Sequence, residues 1–226
     1  MLTVPQRAAQ FARQLIGQPY KLYLLGEFPY ELIDPDPLYC LSASDCVTFV
    51  EHVYAMALGD DWHSFFDALL RIRYKDGKVG MLTRNHFTEA DWNINNAWAF
   101  EDVTRSIAPK SIAPMHQAVD RASFFKKYNI GQDIPIEPFE TTFLPGNAVQ
   151  NAQAQLMTGD IIEIVRGTAD APFVGHMGLI AGRDTRGRPM LIHSADPKVR
   201  EEPLLDYLAS SGKIRGIKVL RYRETK

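Results

Sequence analysis

The sequence predicts an α+β protein in which amphipathic helices come first and an antiparallel sheet comes last. Three observations carry this. Apolar residues recur at helical spacing in the first third, as at Val47, Val50, Val53, Tyr54, Ala57 and Leu58. The last third instead holds short aliphatic runs bounded by turn residues, such as Ile161-Ile162-Glu163-Ile164-Val165. These runs follow one another through short connections, which suits antiparallel neighbours because parallel strands need a long crossover.

The 226 residues suffice for one large domain or two small ones. Hydrophobic residues make up 46% and charged residues 23%, an ordinary globular balance. A formal net charge of −2 offers little to a nucleic acid or an anionic membrane surface. No apolar run approaches the roughly 18 residues of a membrane span. Met1 leads directly into a polar amphipathic helix with no signal peptide. Two expectations follow: a cytoplasmic protein, or a periplasmic or secreted one whose leader is not part of this sequence. No internal repeat or low-complexity segment is present.

Taken in order, Thr3-Val4-Pro5-Gln6 opens the first helix. Thr3 caps, Pro5 fits the first turn and Gln6 completes a capping box. Gly17-Gln18-Pro19-Tyr20 ends it. Residues 21–45 read as an irregular connection, interrupted by Pro29, Pro35 and Pro37. A second helix starts at Ser44-Asp45-Cys46 and stops at Gly59, and a third spans Trp62 to Tyr74. The polar, aromatic run Thr83–Asn96 lacks a period and reads as a loop, either solvated or lining a cleft. Ala118 to Tyr128 reads as helix, Asp133 to Pro138 as extended, Leu144 to Asn147 as a turn and Ala148 to Leu156 as a short helix. Strands are expected at 161–165, 175–181, 189–195 and 214–222. A hairpin turn falls at Asp184–Gly187 and a short helix at Leu204–Ser210.

The chemistry centres on Cys46. At a helix start, free N–H groups and the positive end of the dipole favour a thiolate. A cysteine there is a nucleophile or an inert buried thiol, and position alone does not choose. Two cysteines, Cys40 and Cys46, cannot build a disulfide framework or a four-cysteine zinc site. A bond between the two would require the loop and helix start to bend to a narrow geometry. His176 and His193 are structural strand residues or a base and its partner. They lie 17 positions apart (193 − 176) on two arms of one hairpin. Symmetric pairing about the turn sets residues near 176 opposite those near 195, close enough for His193 to hydrogen-bond His176 and fix its tautomer. Cys46, His176 and His193 then form a nucleophile, a base and an orienting group. The same three types suit zinc, but no fourth ligand stands at recognisable spacing, so neither metal nor other cofactor is expected.

Asp45-Cys46-Val47-Thr48-Phe49-Val50-Glu51, Gly159-Asp160-Ile161-Ile162, Gly175-His176-Met177-Gly178-Leu179-Ile180 and Leu191-Ile192-His193-Ser194-Ala195 resemble, in this order, the NlpC-type cell-wall cysteine hydrolases. Thr48–Glu51, Arg84-Asn85-His86-Phe87 and Asp91-Trp92 resemble more narrowly the N-acetylmuramoyl-L-alanine amidase-like branch, and Gly17-Gln18-Pro19-Tyr20 resembles its tyrosine-bearing turn. The resemblance runs from about residue 8 to 222. It implies a papain-like fold in one catalytic domain, 1–226, with the helix-borne nucleophile packed on the C-terminal sheet. A long insertion at about 60–155 departs from minimal members. It also implies Cys46 as nucleophile, His176 as base and His193 as orienter, acting on peptidoglycan or muropeptides outside the cytoplasm. The Cys46 backbone N–H is the first oxyanion donor expected. Tyr20, Asp45, His86 and Trp92 are candidate substrate contacts, each with a structural role as the alternative.

The expected reaction is cleavage of the muramoyl–L-alanine amide through an acyl-thioester. The alternatives are a γ-D-glutamyl-diamino acid endopeptidase, an acyltransferase that passes the thioester to an amine, and a cell-wall-binding module without catalysis.

Overall fold

The computed structural model describes residues 1–224. In chain order, α1 (Val4–Gln14), α2 (Cys46–Leu58) and α3 (Trp62–Arg73) come first. A π-helical turn (Thr88–Trp92) runs into α4 (Asn93–Asn95), followed by β1 (Phe100–Asp102), α5 (Thr104–Ile107) and β2 (Ala113–Val119). Next come α6 (Arg121–Phe125), β3 (Glu137–Pro145), α7 (Gly146–Ala152), β4 (Ile161–Gly167), β5 (Pro172–Arg183), β6 (Pro189–Ala195), β7 (Lys198–Pro203), α8 (Leu204–Ala209) and β8 (Ile214–Tyr222). The sheet has eight strands in the order β2-β3-β8-β4-β5-β6-β7, with β1 also on β8. The named strand pairs are all antiparallel. This is a mixed α+β fold with a large antiparallel sheet.

Both faces of the central strands are covered, which is why β4 reads as a continuous apolar run. Ile161, Met177, Leu179 and Ile192 pack with Phe49, Val50, Val53 and Tyr54 of α2. Ile162, Ile164, Ile180 and Leu191 pack on the other face with Val149 of α7 and Leu204 and Tyr207 of α8. Each fully buried large aliphatic or aromatic side chain contributes about 1.5–3 kcal/mol. The single row Phe49, Val50, Val53 and Tyr54, wholly inaccessible, is therefore enough to hold α2 to the sheet.

Three helix starts are capped as their residues predict. Thr3 and Gln6 form a reciprocal capping box on α1, and Asp61 and Ser64 do so on α3. On α2, Asp45 accepts from the Thr48 N–H at 2.8 Å while the Thr48 hydroxyl takes the Asp45 N–H at 2.9 Å. Gly59 ends α2, but its φ of −88° is open to any residue. It is glycine because a Cβ would lie 2.4 Å from the Phe65 backbone nitrogen.

Several expectations change. The Thr83–Asn96 run is not simply a loop: Thr88–Asn95 is helical, with a π turn where a 3.6-residue period would fail to register. Ala118 and Val119 close a strand rather than open a helix. Leu144 and Pro145 end β3, where they pair with Ile217 and Gly216, and are not a free turn. The connection over 21–45 is irregular, but Leu24, Leu25 and Glu27 are buried within it.

Candidate active site

Asp45 caps α2 and sets Cys46 as the first helical residue, so the thiol emerges at the helix mouth. Side chains then tie this mouth to the sheet. The Ser44 hydroxyl donates to Gln18 Oε1 at 2.6 Å, and the Ser194 hydroxyl donates to the Ser44 carbonyl at 2.8 Å. Ser44 stands two residues before Cys46, and Ser194 directly follows His193. Backbone bonds from Ser44 N–H to Pro19 and from Tyr20 N–H to Pro197 complete the lacing. The thiol is thereby fixed against β5, close to the Met177 backbone N–H, next in chain to His176.

The two histidines meet. The hairpin pairs Leu179 with Ile192 and Ile180 with Leu191, the register expected from the turn. His176 Nε2 lies 2.6 Å from His193 Nδ1. Gly178 makes room for this: a Cβ there would stand 2.8 Å from the His193 Cβ and 2.6 Å from the Ile192 carbonyl. The Tyr207 ring closes over both imidazoles, 5.8 and 4.7 Å between centroids, and its hydroxyl accepts from Arg166 at 2.7 Å.

A fourth group, which the sequence reading missed, extends the line. Glu202 Oε1 lies 2.9 Å from His193 Nε2 and accepts from Arg200 Nε at 2.8 Å. Burial works to raise the Glu202 carboxyl, but the bonds from His193 and Arg200 outweigh it and hold it below the ordinary value. An ionised carboxylate only accepts, so His193 must present Nε2–H to it. A neutral His193 then offers a bare Nδ1, which accepts from His176 Nε2–H. That leaves His176 Nδ1 unprotonated, the state a base requires. Tautomer order thus runs from Glu202 inward.

The electrostatics reverse one expectation. Burial pushes the Cys46 thiol up to about 12, and the Asp45 carboxylate adds to the rise. The N–H groups of Met177, Val47 and Cys46 itself oppose this without overcoming it. Burial also drives His176 well below its usual value, helped by His193, Arg166 and Arg200. At neutral pH both groups are uncharged. The helix start alone does not make a thiolate, because withdrawal from water costs more than its N–H groups return.

The other candidates separate. Tyr20 lies beside the thiol, and its phenol is raised by burial and then by Cys46 and Asp45. Asp45 is the cap and also lines a cavity of about 470 Å³ with Val47 and Thr48. His86 lines this cavity and a neighbouring one of about 450 Å³ that reaches Phe173 and Val174. Burial holds His86 down to about 3, and its Nε2 lies 2.8 Å from the Met81 carbonyl. Trp92 is not brought to the site. It is 1% exposed, stacked on Phe100, and its indole N–H donates to Glu51 Oε1 at 3.2 Å. Among the described residues no group of three or more His, Cys, Asp and Glu could hold a metal ion, and both cysteines are free.

The site is thus a capped helix bearing a thiol, set against the antiparallel sheet of a mixed α+β fold with two paired imidazoles. The chain is a member of the AmiA-like, N-acetylmuramoyl-L-alanine amidase-like family, whose model matches residues 10–217. A Legionella pneumophila protein of known structure shares the fold with a TM-score of 0.89 at 23% identity, covering 100% of this chain and 91% of that one. An N-acetylmuramoyl-L-alanine amidase from Bacteroides uniformis superposes with a TM-score of 0.79 at 25% identity, over 98% of this chain and 99% of that one. A Bacteroides fragilis protein that carries the provisional name of a xylanase matches with a TM-score of 0.74 at 25% identity, over 94% and 99%. No curated protein sequence matches the chain. Family and neighbours support a cell-wall amidase.

Proposed function

We propose that the chain is a cysteine amidase of the NlpC-type, papain-like group that cuts the bond between the muramoyl lactyl group and L-alanine. The observation that carries this is the line Glu202–His193–His176 ending beside the Cys46 helix mouth, with bonds of 2.9 and 2.6 Å. A glycosidase needs two carboxyl groups flanking the scissile bond; here the converging groups are a thiol and two imidazoles.

Cys46 Sγ attacks the amide carbonyl carbon while its proton passes to His176 Nδ1. Neither partner is charged at rest, so proton transfer accompanies attack as general-base catalysis. The Cys46 backbone N–H faces the developing oxyanion, and the Tyr20 hydroxyl stands beside it as a second donor. Collapse breaks the C–N bond, and His176 returns the proton to the departing alanine nitrogen. The thioester is then attacked by a water that His176 deprotonates. The muramoyl carboxylate leaves and the thiol is restored. His193 and Glu202 are positioning residues in this scheme.

The substrate is peptidoglycan or its muropeptide fragments; on the polymer the enzyme works in the periplasm or outside the cell, and on fragments a cytoplasmic site of action is equally compatible. Residues 1–226 act as one catalytic domain, and the segment at about 60–155 walls the cleft with His86. Digestion of a defined muropeptide, read by mass spectrometry, tests the bond. The expected product is the intact stem peptide beginning with L-alanine. A product cut between γ-D-glutamate and the diamino acid overturns the assignment in favour of the endopeptidase.

A further inference from the structure

Arg166 is a guanidinium without a carboxylate, beside a site whose other arginine is answered. Arg200 Nε donates to Glu202 at 2.8 Å, and Glu202 also takes the His193 bond. Arg166 has only the Tyr207 hydroxyl, at 2.7 Å, and its Nε is buried with no partner. Among the described residues no Asp or Glu pairs with it. A half-buried cation left this way costs stability, because no opposite charge offsets its withdrawal from water. A buried donor without a partner in a native fold marks a position with a role other than stability.

The strands are shaped to deliver this charge. Ile164 pairs with His176 and Val165 with Val174, so Gly175 is an extra residue in β5 directly before His176. Val165 pairs with Gly216 and Arg166 with Ile214, so Arg215 is an extra residue in β8. Bulges of this kind bend a strand and re-aim its side chains. A Cβ at Gly175 would stand 3.0 Å from Arg166 Cδ, so the bare glycine leaves room for the arginine stem. The guanidinium ends on Tyr207 of α8, whose ring lies over both imidazoles, 5.8 Å from His176 and 4.7 Å from His193 between centroids.

The charged and titratable groups around the pair act in opposite directions. Glu202 of β7 favours a proton on His193, while Arg166 of β4 and Arg200 of β7 oppose one. Cys46 of α2 and Tyr207 are neutral, both raised first by burial. Arg200 is bonded to Glu202, so those two charges largely cancel. Burial is the first cause that holds His176 down and His193 the second; Arg166 is the leading fixed charge after them. A general base must be unprotonated when the nucleophile attacks.

We infer that Arg166 is a positioning residue: carried past the Gly175 bulge and braced by Tyr207, it stands as an uncancelled positive charge beside the His176–His193 pair and keeps the pair uncharged against the pull of Glu202. The consequence for catalysis rests on the amidase reading, in which His176 is the base. The charge state of the pair does not.

The test follows both imidazoles by NMR in histidine-labelled protein as pH is lowered, beside the acid limb of kcat/KM on a defined muropeptide. Removing the guanidinium removes a repulsion that opposes the imidazolium, so the protonation midpoint must rise. Arg166→Gln should raise it by at least about half a pH unit, about threefold more protonated pair at a given acidic pH. Arg166→Lys, which keeps the charge, should stay within about 0.2 units of the wild type. Tyr207→Phe keeps the ring and releases the guanidinium, so it should give a smaller rise without removing Arg166 from the sheet. A pair that stays neutral in Arg166→Gln or in Tyr207→Phe wherever the wild-type pair does overturns the inference. So does an Arg166→Lys midpoint that rises as far as that of Arg166→Gln, or a wild-type pair that titrates at the ordinary value of about 6.5. A midpoint that rises in Arg166→Gln while the acid limb of kcat/KM stays in place upholds the inference and overturns His176 as the base.

Discussion

Cys40 and Cys46 stand six positions apart, each with a histidine nearby, and they differ in every property that bears on reactivity. Burial works to raise the Cys40 thiol, but bonds from the Ser42 hydroxyl and from the Ser42 and Ala43 N–H groups, with Lys21, bring it below its ordinary value. The Cys46 thiol is pushed up to about 12. By acidity, Cys40 looks the better nucleophile. The histidines say otherwise. His52 Nε2 accepts from the Cys40 backbone N–H, and its Nδ1 lies 2.6 Å from the Thr48 carbonyl, so backbone groups occupy both ring nitrogens. His176 gives only Nε2 to His193 and keeps Nδ1 free for a proton. On the proposed mechanism the nucleophile is marked by an available base, and the resting acidity of the thiol is a poor guide.

The largest consequence concerns substitution. Cys46→Ala should lower amide hydrolysis by on the order of 10⁴-fold or more, while Cys40→Ala leaves kcat within about twofold. Comparable losses at both positions would remove the distinction. His176→Ala should cost about 10²–10⁴-fold in kcat. His193→Ala and Glu202→Ala should cost less, about 10–100-fold, the worth of a hydrogen bond to a charged partner. Glu202→Gln, which can still accept, should recover part of that loss. Equal losses at His176 and His193 would contradict their division into base and orienter.

The next consequence is a pH profile. His176 titrates well below 6.5, so the free base is already present at mildly acidic pH, and the thiol stays protonated far above neutrality. kcat/KM should therefore be flat from about pH 6 to 9, with no limb near the ordinary thiol value of about 8.5. Glu202→Ala removes an anion that favours a proton on the imidazole pair, and should move the acid limb lower still. A limb between about pH 8 and 9 in the wild type would show that thiolate formation controls the rate. Gly178→Ala should displace His193 and reduce kcat roughly tenfold while KM stays within about twofold, because the added methyl meets the Ile192 carbonyl and the His193 Cβ and not the cleft. The smallest expected effect is on labelling order. At pH 7 iodoacetamide should modify Cys40 before Cys46, and peptide mapping should find the first label on an enzyme that is still active.

The capping residues and the hairpin could be read from the chain because both are local. Asp45 and Thr48 lie three residues apart, and the Asp184–Gly187 turn fixes which residues of β5 and β6 meet. Glu202 could not be read. Its strand, Lys198–Pro203, is a charged edge strand with one buried residue, Val199, so no alternation announces it. β2 and β3 were hidden by Pro114, Pro138 and Pro145, which argue against a strand when neighbours are unknown. Trp92 reads as a cleft aromatic in a polar run. Its partner Glu51, which also bonds Arg73, lies far earlier in the chain, so burial of the pair is a tertiary fact.

The most direct measurement is acid quenching of the wild type during turnover of a defined muropeptide, with fragmentation mass spectrometry of the peptide that spans both cysteines. The muramoyl acyl group should be found as a thioester on Cys46, with Cys40 unmodified. Acylation of Cys40, or continued turnover by Cys46→Ser without any acyl adduct, would contradict Cys46 as the nucleophile.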